Sequence, residues 1–105
     1  MDVESLVGRL AAVANPLRLR ILATLAEEST HVSELARRTG MSRALLYLHL
    51  RRLEEVGYVT GHLELSPDGK ALKYFEAVPF ALTVDLPTVR AAVAASPPVT
   101  PEEDS

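Results

Sequence analysis

Val32-Ser33-Glu34-Leu35-Ala36-Arg37-Arg38-Thr39-Gly40-Met41-Ser42-Arg43-Ala44-Leu45-Leu46-Tyr47-Leu48-His49-Leu50-Arg51-Arg52-Leu53 is the stretch on which the fold turns. Two helical patterns meet at Gly40. The first is short, running over Ser33–Thr39, with Ser33 as a candidate cap, Leu35 as apolar anchor and Ala36 as a small residue where a second helix can cross close. The second starts after Ser42, a good N-cap, and runs to about Val56, with Gly57 suited to the residue after its end. Met41, Leu46, His49 and Leu53 fall on the side that would pack against the first helix. A short anchored helix, a small crossing residue, a glycine turn and an inward apolar stripe together specify a helix-turn-helix.

At about 100° per residue, Leu45, Leu46, His49, Leu50, Leu53 and Val56 share one arc of the second helix. The opposite arc carries Arg43, Ala44, Tyr47, Leu48 and Arg51. Arginine takes a guanine edge bidentately, and alanine or leucine can meet a thymine methyl, so this arc suits base edges in a major groove. Ser42, with the free N–H groups of the helix start, suits a phosphate. Arg37, Arg38 and Arg52 are placed to meet the DNA backbone, which positions a protein without specifying sequence. An arginine-rich arc alone is more often a solvated face; the spacing around this one argues for DNA.

Working outward, Val3, Leu6, Val7, Leu10 and Val13 give a first helix over 4–13. Asn15-Pro16 closes it and opens a second, from Leu17 to Glu28, since asparagine caps well and proline fits the first helical position. After Gly57 the period changes. Tyr58 to Leu65 is rich in β-branched and aromatic residues, Ser66-Pro67-Asp68-Gly69 is a turn signal, and Leu72 to Val78 returns as a strand ended by Pro79. Lys70 and Lys73 sit at or just past that turn, where a wing reaches an adjacent phosphate. Lysines also guard ordinary hairpin edges. Residues 85–95 form a last, alanine-rich helix, and the proline- and acid-rich residues 96–105 are expected to be a disordered tail. The fold class is thus mainly α with a β-hairpin wing, a winged helix-turn-helix in the order α-α-α-α-β-β-α, over one domain spanning 1–95.

The net charge of −3 is segregated: Arg37, Arg38, Arg43, Arg51 and Arg52 make a basic centre, while Asp2, Glu4, Glu102, Glu103 and Asp104 make the ends acidic. The chain has 105 residues and no cysteine, which removes disulfides, thiolate metal sites and cysteine redox sensing together. No apolar run reaches membrane-spanning length and the start lacks a signal-peptide pattern, so a cytoplasmic protein with no membrane partner is expected. There is no glycine-rich phosphate loop and no Ser-His-Asp arrangement, and an enzyme is not expected.

Residues 5–78 resemble the ArsR-type family of winged-helix regulators. The resemblance is carried by Ala14-Asn15-Pro16-Leu17-Arg18-Leu19-Arg20-Ile21-Leu22, by Val32-Ser33-Glu34-Leu35-Ala36, and by Leu48-His49-Leu50-Arg51-Arg52-Leu53-Glu54-Glu55-Val56-Gly57-Tyr58-Val59. It implies a homodimer through the first and last helices, with Leu6, Leu10, Val89 and Val93 at the interface. It also implies an inverted-repeat promoter site in double-stranded DNA, read by two recognition helices about 34 Å apart. His49 matches a histidine common at this family position and is read as part of the core.

The family's usual metal sites are not expected. Where one site type places thiolates, this chain has His31 and Ser33; where another places ligands on the last helix, Leu86–Ala95 carries no histidine or acid. A nickel or zinc site combining His31 and Glu34 with acids of a partner chain, Asp2 or Glu4, is the alternative, and a protein-interaction module docking through Tyr47 and Leu48 is a second. Otherwise no cofactor is expected, and a signal would come from an effector protein or a small ligand.

Overall fold

In a computed structural model, residues 1–98 are described. The elements are α1 (Val3–Val13), α2 (Pro16–Glu27), β1 (Thr30–His31), α3 (Val32–Thr39), α4 (Arg43–Glu55), β2 (Val59–Leu65), β3 (Ala71–Ala77) and α5 (Leu86–Ala94). Local chemistry sets most of the boundaries. The Asn15 side chain accepts from the N–H groups of Leu17 and Arg18 at 2.9 and 3.2 Å, and Pro16 takes the first position of α2. Gly40 ends α3 at φ +73°, a left-handed backbone that an L side chain adopts only under strain. The Ser42 hydroxyl accepts from the Leu45 N–H at 3.2 Å and starts α4.

Two details differ from the sequence reading. The cap of α3 is His31, whose ring nitrogen faces the Glu34 N–H at 3.5 Å, and not Ser33, which lies inside the helix. The wing is also not a bare hairpin. Thr30 and His31 pair with Phe75 and Tyr74, so β1 joins an antiparallel sheet of order β1-β3-β2. The hairpin register runs from Val59 opposite Ala77 to Leu65 opposite Ala71, closed by a turn in which the Gly69 N–H donates to the Ser66 carbonyl at 2.9 Å.

The core lies between α2, α3, α4 and the base of the sheet. Ile21, Leu25, Leu35, Leu46, Leu50, Leu53, Tyr58 and Phe75 are buried in it. The two helix-turn-helix helices are therefore fixed from behind by α2 and the sheet.

α1 also packs against α5, with Leu6 and Ala92 buried on the two helices, while Ala12 of α1 belongs to the main core. Ser96 ties the pair together: its hydroxyl accepts from the Val3 N–H and donates to the Ala92 carbonyl, both at 2.8 Å. The rest of the expected tail, 99–105, lies outside the described residues. The molecule measures 59 × 27 × 22 Å and its radius of gyration is 17.4 Å, against about 13 Å for a compact chain of this length. Val7, Leu86 and Val93 stand exposed.

Candidate nucleic-acid interface

The inward arc of α4 is apolar except for one ring: Leu46, His49, Leu50 and Leu53 are buried, and Met41 is buried just before the helix. Core packing therefore fixes the rotation of α4. It turns Arg43, Ala44, Tyr47, Leu48 and Arg51 outward together, with Tyr47 and Leu48 exposed to 50% and 52%. Two large apolar side chains side by side on an arginine-bearing face present a surface that gains from being covered.

The basic residues around this face fall into two groups. Arg37, Arg38 and Arg52 are held by carboxylates. Arg37 makes a two-pronged pair with Glu34, Arg38 reaches Glu28 at 3.2 Å and Glu34 at 3.4 Å, and Arg52 meets Glu55 at 3.5 Å. The hydrogen bond from Arg37, with the charges of both arginines, holds the Glu34 carboxyl below the usual carboxylate range. These surface pairs are weak in water. Arg43 and Arg51 form no ion pair among the described residues. Arg43 donates to the Ser33 hydroxyl at 2.7 Å, which leans it across the junction of α3 and α4. Arg51 lines a groove of about 520 Å³ between α4 and the wing, together with Tyr47, Glu54, Lys73 and Phe75.

The wing lysines differ from one another. Lys70 sits in the exposed turn, 3.9 Å from Asp68. Lys73 is not at the tip. It shares a strand face with buried Phe75, so it points toward α4, and its ammonium lies 5.3 Å from the centre of the Phe75 ring. Gly61, opposite Phe75 in the neighbouring strand, makes this possible: a Cβ there would come within 2.6 Å of the Lys73 Cε. Gly61 was not singled out from sequence, although a glycine inside a strand pattern is a known sign of close approach. The groove thus carries a cation on each wall.

His31 and Glu34 are brought to the same end of α3, but both are engaged elsewhere. His31 caps the helix and meets Tyr74 edge-on with ring centroids 5.4 Å apart, while Glu34 holds two arginines. Among the described residues no group of three or more potential ligands of the His, Cys, Asp and Glu type comes together. Of the four residues expected at a dimer interface, Leu6 is buried within the chain, Leu10 is half-buried, and Val89 and Val93 are exposed; Val3 and Val7 join them on the surface.

The sequence profile described as "Bacterial regulatory protein, arsR family" matches residues 15–60, which span α2, the helix-turn-helix and the start of the wing. An uncharacterized HTH-type transcriptional regulator of Methanocaldococcus jannaschii is 34% identical over 74 residues, covering 70% of this chain and 77% of the relative. The chain belongs to the ArsR family. It is accordingly one of a family of DNA-binding transcriptional regulators and not an enzyme. The nodulation protein NolR of Rhizobium meliloti is 41% identical over 59 residues, 56% of this chain and 48% of its own length. Among solved structures, NolR from Sinorhizobium fredii superposes with a TM-score of 0.63 at 32% identity, covering 72% of this chain and 71% of that one. HlyU from Vibrio cholerae gives 0.61 at 27% identity, covering 84% and 83%. In this family architecture α4 is the second helix of the helix-turn-helix and the β2–β3 hairpin is the wing. No helix among the described residues is long and apolar enough to cross a membrane.

Proposed function

We propose that this ArsR-family regulator acts as a homodimer on an inverted-repeat promoter site, with α4 of each protomer in a major groove. The observation that carries the reading is the division of α4 into a buried arc of Leu46, His49, Leu50 and Leu53 and an outward arc of Arg43, Ala44, Tyr47, Leu48 and Arg51. Those five residues meet base edges. Ser42, Arg37, Arg38, Arg52, Lys70 and Lys73 meet phosphates, the three arginines by exchanging their glutamate partners for DNA. Dimerisation is supported by the projecting α1–α5 pair, whose exposed Val7, Val89 and Val93 would be covered by the same face of a second copy.

No metal is required in this reading, since the chain lacks cysteine, α5 carries no histidine or acid, and Glu34 is occupied by arginines. The signal reaches it through an effector protein or a small ligand, in the cytoplasm. Light scattering of the wild type and of Val93→Glu, followed by footprinting on the upstream DNA, tests the proposal. A dimer protecting two half-sites one helical turn apart, with Val93→Glu monomeric and weaker on DNA, supports it. A wild-type monomer that protects one half-site contradicts it.

A further inference from the structure

Arg18 lies in the first turn of α2, placed there by the Asn15 cap on its own N–H. Its guanidinium makes two hydrogen bonds that join three helices. Nε donates to Nδ1 of His49 on α4 at 3.1 Å, and Nη1 donates to the Ala11 carbonyl near the end of α1, also at 3.1 Å. The Ala11 carbonyl, which also accepts from the Ala14 N–H at 3.3 Å, sits at the negative pole of α1, so an arginine is well matched to that place.

His49 is the unusual partner. It is 6% exposed and faces inward from the middle of the recognition helix. Because Nδ1 accepts from Arg18, the neutral ring carries its proton on Nε2. Nε2 is buried and has no hydrogen-bond partner among the described residues. A leucine would fill the space without an orphaned donor, which is costly to bury. The ring therefore costs stability where it stands, and what it gains is the bond to Arg18.

We infer that Arg18 is a positioning residue for DNA binding, setting the recognition helix in place by gripping His49 with one nitrogen and the end of α1 with another. The inference rests on α4 being the DNA-reading helix. It ties the end of α1, which belongs to the projecting pair, to the inward side of α4 through one side chain of α2. Burial, then the charge of Arg18 on α2, keeps His49 below the ordinary histidine value. Of the other charged groups nearby, Arg52 and Glu55 share a hollow with Arg18 and Ala11 and are paired with each other. A second proton on His49 would land on Nδ1, the atom Arg18 uses, and set two cations face to face. The tie thus holds above about pH 6.5, the ordinary histidine value, and is lost as the pH falls through the lower value in the folded protein.

The test joins nitrogen-15 NMR of the histidine rings with DNA titrations of the wild type, Arg18→Met, His49→Leu and the double variant. The wild type should show His49 as the Nε2–H tautomer, and its titration midpoint should move upward in Arg18→Met. His49→Leu should melt no lower than the wild type yet bind DNA about tenfold more weakly, a coupling typical of linked sites, with the double variant no weaker than either single one. An Nδ1–H tautomer, an unmoved midpoint, or losses that add in the double variant would overturn the inference. A wild type with no affinity for DNA would instead overturn the reading on which it rests, leaving the tautomer and midpoint to judge the Arg18 bond.

Discussion

Tyr58 and Phe80 lie face to face, with ring centroids 3.9 Å apart and planes 14° from parallel. Tyr58 follows the turn that ends α4, and its backbone is gripped on both sides: its N–H donates to the Leu53 carbonyl and its carbonyl accepts from Val78, both at 2.9 Å. Its hydroxyl reaches back to the Arg9 carbonyl of α1 at 3.3 Å. One buried side chain thus joins the recognition helix, the exit of the wing and α1. Tyr58→Ala should cost about 3–5 kcal/mol of stability, as removal of a buried aromatic does, while Tyr58→Phe should cost only about 1 kcal/mol for the lost hydrogen bond. Urea unfolding of the two variants checks this, and similar losses in both would be inconsistent with the packing described.

Gly40 makes a cleaner backbone test. Its φ of +73° is left-handed, yet a Cβ built there meets nothing within 4 Å. Any cost of Gly40→Ala is therefore conformational, about 1–2 kcal/mol, and Gly40→Asn should recover part of it because asparagine tolerates this region better. Thermal melts of the three proteins should rank glycine, asparagine, alanine. Equal melting would mean that the turn relaxes to another backbone.

The helix-turn-helix was legible because its signals are local. Asn15-Pro16, Gly40 and Ser42 set boundaries through their own side chains or backbone freedom, and the apolar spacing of α4 fixed which arc is buried. β1 was not legible, since two residues have no period and their pairing with Phe75 and Tyr74 is remote in the chain. The capping role of His31 is hidden in the sequence because serine is the commoner cap, and the Tyr74 ring that meets it comes from that same remote strand. The place of Lys73 was within reach, since it has the same strand parity as Phe75. The burial of Leu6 depends on how α5 docks, which no pattern in α1 reveals.

The groove between α4 and the wing gives a pair of contrasting variants. Arg51→Ala should weaken DNA binding by about 1–3 kcal/mol and relax the preference at one base position. Lys73→Ala should weaken binding evenly across sequences and reduce the salt slope by about one. Gly61→Ala should behave like Lys73→Ala, because its new methyl group displaces the lysine stem. Titrations on a set of single-base operator variants at several salt concentrations separate the two patterns. If Gly61→Ala keeps the full salt slope, Lys73 does not depend on that gap.

Affinity for DNA should be the same with a chelator and with added nickel or zinc, and His31→Ala should act on stability only, lowering it by about 1 kcal/mol or somewhat more through loss of the α3 cap and of the Tyr74 contact. A metal-dependent change of about tenfold, near 1.4 kcal/mol of coupling, that disappeared in His31→Ala would restore the alternative site.

In the function proposed for this protein, the outward arc of α4 reads DNA. Its most direct test is the titration of wild type and Arg51→Ala onto labelled DNA from the protein's own upstream region, at low and high salt. The wild type should bind tightly and with steep salt sensitivity, and the variant should show a base-specific loss. Equal binding by the two proteins, or capture of a protein partner through Tyr47 and Leu48 with no affinity for DNA, would contradict it.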